Sequence, residues 1–556
     1  MTVTRKMRTG LLITVAIVLS LSACSTSADG PSEMDLEAAL ASISRDNIQS
    51  SVTYLAADER EGRMTGSRGY DDAARFVADQ FEAMGLEPGG SGGNGGWYQE
   101  VPLITRKTDI ENSGVTLHKK GGDVVLEWGK DVVIYADRLR EKTRVRAEVV
   151  FVGFGIHAPE LGYSDLEGID VSGKIVAYFS GAPDTFPSTE RAHFSSGRTK
   201  ADELVNRGAI GEIGLMSRAE ENRFTWSGNR SARERMAWID ESGDVADFHP
   251  ELLGSADFRP NAARQLFEEA PITLEEAQDA REAARPMSRD LNIEVSIYRT
   301  SIHERMESPN VIGILRGSDP KLSDEYLVYS THLDHLGTGS VVDGDSTFNG
   351  MYDNAIGVSV TLEIARAFAS IPVPPRRSIM FVAVTAEERG LLGSDYFAHY
   401  PTVPREGLVA SMNIDMPMFI FPLNTVTGYG VEHSSLEIVM TEEALKEGFE
   451  YMPDPYPEEV YFIRSDQYSF VRQGIPSMYL AEGIGSSDPD VDGRAVLDEF
   501  FATHYHARTD DLSQPIVWET ALRFTRAGLR IGFRVAMEEE RPTWKENNFF
   551  GDKFGR

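Results

Sequence analysis

His332 and Asp334 stand two residues apart in HLDHLG, just past an apolar run at 326–331 that reads as a buried strand. Imidazole and carboxylate at the carboxyl end of a strand are where open α/β sheets carry their chemistry. The pair alone is weak, because an Asp after a strand is often a helix cap. Further stretches give it weight. Asp353 lies in the Gly-bounded segment NGMYDNAIG, Glu387 and Glu388 follow the apolar run 379–384, Asp415 ends the run 409–414, and His506 lies in YHARTD. Imidazole and carboxylate without thiolate suit zinc or another borderline divalent metal. Two His and three carboxylates can hold a pair of ions if one carboxylate bridges, and such a pair polarises a carbonyl and activates a water. Of two adjacent glutamates, one can ligate while the other accepts a proton. Singly, each of these residues reads as a cap or a surface group. Their recurrence through one α/β unit is what points to chemistry.

The elements that must position them begin near residue 310. Strands are predicted at 311–315, 326–331, 379–384, 409–414 and 477–480, with helices at 358–369, 434–447 and 521–537. Strands alternating with helices imply a mostly parallel sheet, so the fold class is α/β. The acidic, Gly-rich stretch 482–499 reads as a loop over the site. Upstream, 34–84 reads as helical, with Phe76, Val77, Phe81 and Met84 at helical spacing and Gly85 as the stop. A Gly-rich loop at 89–96 precedes strands at 101–104 and 132–135. A second unit is expected from about residue 146 to 300, with strands at 148–155 and 173–179, a helix at 200–207 and an apolar run at 210–216. Its His157, His193 and His249 read as surface or capping residues.

The chain has 556 residues, enough for two or three domains. With 55 basic and 87 acidic residues its formal charge is −32, which excludes a general nucleic-acid binder and adsorption of its surface to anionic lipid. The N-terminus differs. Arg5, Lys6 and Arg8 precede an apolar run at 11–21 that is too short for a stable span and has the order of a secretory signal. It ends in LSAC, which resembles the bacterial lipoprotein cleavage box. That resemblance implies a signal peptide at 1–23, acylation of Cys24 and a polar tether at 24–33. It implies export to a bacterial membrane, with Ser25 favouring the outer membrane in a Gram-negative cell. Cys24 is the only cysteine, so no internal disulfide forms.

The motifs HLDHLG, NGMYDNAIG, TAEERGLLGS, NIDM and YHARTDD resemble, in order, those of the M28 metallopeptidases, the aminopeptidase Y and glutamate carboxypeptidase group. The segment 57–88 resembles that family's opening, and GFGIHAPELGYSDLEGIDVSGKIV resembles an inserted protease-associated (PA) domain. The resemblance implies peptidase segments at 34–145 and 301–545 around a PA insert at 146–300. It implies two zinc ions: one on His332, Asp353 and Asp415, the other on Asp353, Glu388 and His506, with Asp353 bridging. Glu387 would be the general base and then the acid, and Asp334 would orient His332. His335 and His504 would stand outside the metal shell, and Asp510 would orient the loop carrying His506. Tyr352 replaces an Asp common in relatives, and Gln467 a His. The family's oxyanion-stabilising Tyr falls at Phe462 without gaps, with Tyr461 one residue off.

The activity implied is an exopeptidase acting on peptides, an aminopeptidase in which a metal-bound hydroxide attacks the first peptide carbonyl. A carboxypeptidase of the same family would need Arg464 or Arg508 for the substrate carboxylate. A single-metal glutaminyl cyclase would not need the full ligand set, and a non-catalytic binding protein on this fold would be expected to have lost it.

Overall fold

The computed structural model describes residues 1–2, 30–91, 96–223, 234–342 and 344–555. Cys24 and most of the signal and tether segments lie outside the described residues. The main sheet is built from β1 (Tyr98–Thr108), β2 (Ser288–Leu315), β3 (Tyr326–His332), β4 (Ser378–Val384), β5 (Leu408–Asn413), β6 (Thr425–Tyr429) and β7 (Ser477–Glu482). Their spatial order is β1-β2-β4-β3-β5-β7-β6. The four central strands β4, β3, β5 and β7 run parallel, and β1, β2 and β6 pair antiparallel at the flanks. This is the α/β class expected from the alternation.

β3, β4 and β5 are buried at every position, as parallel strands must be when helices cover both faces. The covering helices include α1 (Glu33–Ser42), α2 (Arg45–Leu55), α3 (Arg68–Ala83), α4 (Ile356–Ala369) and α5 (Trp518–Met537). α4 is apolar nearly all round because it lies inside the core, against β3, α2 and α5. α3 starts on Ser67, whose hydroxyl accepts from Tyr70 N–H at 3.2 Å, and it turns Val77 and Phe81 into the core. It stops at Gly85, where φ of 78° lets Leu86 N–H reach back to the Phe81 carbonyl.

The second unit is larger than the sequence pattern suggests. Strands Gly114–Lys119, Gly122–Leu126 and Val132–Ile134 belong to its sheet, with Val115 opposite Ile297 and Val132 opposite Phe258. Its boundary therefore falls near 114 rather than 146. Strand Arg235–Trp238, inside the expected insert, instead pairs with β1 of the main sheet. The parallel centre of the second sheet is Lys142–Val152, Ile175–Phe179, Gly211–Leu215 and Gly254–Phe258. The first half of β2 completes this sheet, while its second half runs through the main one.

Two other expectations change. Residues 482–499 are not wholly a loop: Asp492 caps a helix at Gly493–Thr503, which buries Leu497 and Phe500. His193 is buried among aromatic rings and bonds Tyr468 Oη at 2.6 Å, which makes it a core residue. Among the described residues no helix is long and apolar enough to cross a membrane.

α5 approaches β3 without room for a side chain. A Cβ on Gly532 would stand 1.7 Å from the Tyr329 hydroxyl, which donates to the Gly528 carbonyl at 2.8 Å. Gly532→Ala is therefore expected to destabilise the fold by about 1–3 kcal/mol through overpacking, read by denaturant unfolding. A wild-type midpoint would contradict this packing.

Candidate metal centre

The carboxyl ends of β3 and β5 meet because the two strands run in parallel register, Ser330 opposite Asn413. His332 closes β3 and Asp415 follows β5. His332 Nε2 lies 2.9 Å from Asp415 Oδ1 and 3.2 Å from Asp353 Oδ1. Asp353 arrives on the turn ahead of α4, and its neighbour Asn354 fixes that turn. The Asn354 amide donates to Thr331 Oγ1 at 3.0 Å and to the His332 and Ile414 carbonyls at 3.3 Å. Its Oδ1 accepts from the N–H groups of Gly357 and Met416. From the other side, the buried Asp510 carboxylate accepts from the N–H groups of Tyr352 and Asp353 at 2.9 and 3.0 Å. Asp510 thus holds the Asp353 loop rather than His506.

The second oxygen of Asp353 faces another cluster. His506 Nε2 lies 3.1 Å from Asp353 Oδ2 and 3.2 Å from Glu388 Oε2. His335 joins them, contrary to expectation: its Nδ1 is 3.8 Å from Asp353 Oδ2 and 2.7 Å from Glu388 Oε1. The His335 N–H donates to the Arg63 carbonyl, which fixes the turn that brings this ring inward. Despite their approach, His335 Nδ1 and Glu388 Oε1 lack hydrogen-bond geometry, and both are buried without another partner. Two donor groups therefore share Asp353: His332 with Asp415 on one side, His335 with Glu388 on the other.

Asp334 serves a different partner from the one expected. Its backbone carbonyl, not its carboxylate, meets His332 Nδ1 at 3.1 Å. The carboxylate accepts from Glu387 N–H at 3.0 Å, Glu388 N–H at 3.3 Å and Thr65 Oγ1 at 3.2 Å. It fixes the short segment that presents both glutamates. That segment turns sharply at Ala386, whose φ of 56° is left-handed; Met416 and His506 share this strained region beside Asp415 and at the second cluster.

Arg63 is a residue the sequence pattern did not single out. It is 1% exposed, and its guanidinium donates to the carbonyls of Leu55, Leu333, Asn349 and Gly350. It ties both ligand loops together and sets a positive charge beneath the carboxylates. Burial lowers its pKa to about 10, against the attraction of Asp353, Asp510, Asp334 and Glu388.

The electrostatics follow from this crowding. Burial, then the charges of Asp415, Asp466 and Glu388, push the Glu387 carboxyl well above the usual range, with His332 opposing. Burial works against a charged His506, but hydrogen bonds to Asp353 and Glu388 lift it to about 10. Burial likewise opposes a charged His332, and Asp415 with Glu387 hold its pKa well above that of free imidazole. The cluster demands positive charge, and imidazole with carboxylate suits a divalent cation such as zinc.

Beside the donors opens a cleft. Tyr461 lines it, with Tyr429, Tyr456, Tyr479, Glu482 and Arg464. Phe462 instead packs into an aromatic cluster with His433, Tyr468 and Phe550. Gln467 takes a structural part, donating to the Phe462 carbonyl at 2.7 Å and accepting from Asn413 at 3.3 Å. Its neighbour Ser465 donates to Asp415 Oδ2 at 2.6 Å. Tyr352 is buried, and its hydroxyl reaches the Pro515 carbonyl at 2.6 Å. His504 bonds Thr509 outside the donor cluster, and Arg508 lies over Phe348 and bonds the Ser340 carbonyl.

Two measurements test this reading. In the metal-free chain His506 keeps its proton up to about pH 10, so zinc must displace it. Zinc loading is expected to release protons and to tighten as pH rises from 6 to 9; a flat profile would contradict the ligand role. Asp510→Ala should weaken zinc retention by about 10- to 100-fold without removing any ligand, read by titration against a chelator.

Comparison with known proteins bears on the same residues. Residues 310–531 match the sequence model of peptidase family M28, a span that contains all of the donors. Aminopeptidase NAALADL1 of Mus musculus is 35% identical over 133 residues, 22% of this chain and 16% of that protein. A probable leucine aminopeptidase 2 of Aspergillus oryzae is 25% identical over 250 residues, 44% of this chain and 47% of its own. The chain thus spans less than half the length of these relatives. Among solved structures, an aminopeptidase from Aneurinibacillus sp. strain AM-1 shares the fold, with a TM-score of 0.51 and 17% identity over 91% of this chain and 97% of that one. The match to peptidase family M28 across 310–531 takes in β3 to β7 and every donor at their ends.

Proposed function

We propose that the chain is a di-zinc exopeptidase, an aminopeptidase that releases N-terminal residues from peptides. The observation that supports it most is the pair of donor groups sharing Asp353 beside Glu387 in one cleft. His332, Asp353 and Asp415 would hold one zinc. Asp353, Glu388 and His506 would hold the other, with His335 in the same group. Bound zinc would supply Lewis acidity to the peptide carbonyl and to the attacking water.

The chain's own groups do the rest. Glu387 takes a proton from the water and returns it to the leaving amine, a role suited to a carboxyl with a raised pKa. Asp334 keeps Glu387 in place through its backbone N–H. Ser465 occupies the second oxygen of Asp415 and leaves Oδ1 toward His332. Tyr461, which lines the cleft, would offer its hydroxyl to a developing oxyanion. The cleft is lined by Asp353, Glu387, Asp415 and Glu482, and apart from its imidazoles Arg464 is its one cation among the described residues. With Asp353 and Asp415 on zinc and Glu387 shuttling the proton, Glu482 is the lining carboxyl left to meet a free ammonium, which supports an aminopeptidase over a carboxypeptidase. We further propose export, with acylation at Cys24 as the anchor.

Glu387→Gln should lower kcat by about 10²–10⁴-fold while zinc content stays near wild type. Wild-type turnover in that variant would sink the mechanism. A free-amine peptide should be cleaved and its N-acetylated form spared; release from the C-terminus of the acetylated peptide would favour a carboxypeptidase. Mass spectrometry of the mature N-terminus should find an acylated Cys24, lost in Cys24→Ala, and an unmodified N-terminus would end the anchor reading.

A further inference from the structure

A second cavity lies where the two sheets meet and shares no lining residue with the metal cleft. Arg106 of β1 reaches into its wall. It stands between two strands, with Arg235 directly opposite on one side and His303 on the other. The residue is only 9% exposed. Among the described residues no hydrogen bond or ion pair engages its guanidinium, and Nε and Nη1 are fully shielded without a partner. Burial, then the charges of Arg138, Arg235 and Arg299, disfavour its cation, with Asp137 opposing them. An unanswered buried guanidinium is far more costly than a surface one.

The acids of this cavity are already engaged. Asp137 is held by Arg140 and Arg299, each at 2.7 Å. Asp247 pairs with Arg198. Glu212 accepts from the Tyr178 hydroxyl at 2.9 Å and the Ser255 hydroxyl at 2.7 Å, and Asp257 accepts from the Tyr135 hydroxyl. None is left to answer Arg106. Arg138, which also lines the wall, makes one hydrogen bond, to the Ala246 carbonyl at 2.9 Å.

We propose that this cavity binds a small oxyanion, a phosphate or carboxylate group, on the Arg106 guanidinium with Arg138 beside it. A planar fork of N–H donors in a dry wall matches two oxygens of such a group. Arg106 belongs to the main sheet and Tyr178 and Ser255 of the same lining to the second, so an ion there would lie at the junction of the two. It would brace the junction without entering the metal cleft.

The test uses the full zinc-loaded chain at constant ionic strength, titrated separately with inorganic phosphate and with acetate. Calorimetry should show one saturable site per chain for at least one of them, and that anion should raise the unfolding temperature. The phosphate and acetate arms distinguish the two sources of the group. Arg106→Gln should weaken binding about tenfold or more, with peptide cleavage unchanged. Arg106→Lys, which keeps the charge and loses the fork, should fall between and covers the case in which the glutamine variant does not fold. The proposal is overturned if neither anion saturates the wild-type chain, or if both variants bind as wild type does. It is overturned equally if binding survives Arg106→Gln and inhibits cleavage, because the ion would then sit at the zinc ligands.

Discussion

Asp334, Asp353, Glu387, Glu388, Asp415 and Asp510 bring their carboxyl groups together at the ends of β3, β4 and β5, largely out of water. Like charges at such separations cannot all ionise without compensation. The structure answers in three ways. Arg63 lies beneath them as a fixed cation. Backbone N–H groups point at Asp334 and Asp510. The imidazoles of His332 and His506 are drawn into the charged form. What divalent ions would do is displace the protons of the last group. The rest of the main-sheet unit is scaffolding that keeps these oxygens from drifting apart.

That scaffolding is the parallel register. Four strands in one direction end at one edge, so side chains far apart in sequence emerge within a few ångströms. The edge is then locked by one amide and by three backbone turns. Asn354 joins the ends of β3 and β5 to the start of α4 with one amide. Ala386, Met416 and His506 hold left-handed backbone where the chain must turn to aim a side chain. Local strain of this kind persists only where surrounding contacts over-determine it.

Much of this was legible in the sequence. Apolar runs ending in His, Asp or Glu gave the strands and the donors together, because burial on both faces and chemistry at one end leave different marks on the same segment. The approach of His335 to Glu388 is not legible in HLDHLG, because spacing cannot say which imidazole a turn directs inward; the Arg63 carbonyl decides that. Asp334 was assigned to the right neighbourhood and the wrong partner, since its carboxylate serves a segment more than fifty residues away. Arg63 left no pattern at all, because a side chain that bonds only carbonyls needs no particular residue near it in sequence. The start of the second unit was missed for a related reason: short edge strands such as Gly122–Leu126 are recognised by what they pair with.

β2 runs for 28 residues, pairing first with Lys142–Val152 and then with β1 and β4. The two sheets therefore share a spine rather than a linker. Excising the second unit would strip the leading half of that strand of its neighbours and leave a long exposed edge, the kind that recruits other chains. Loops of this unit can change without touching that strand, but the unit cannot be removed without rebuilding a strand of the main sheet.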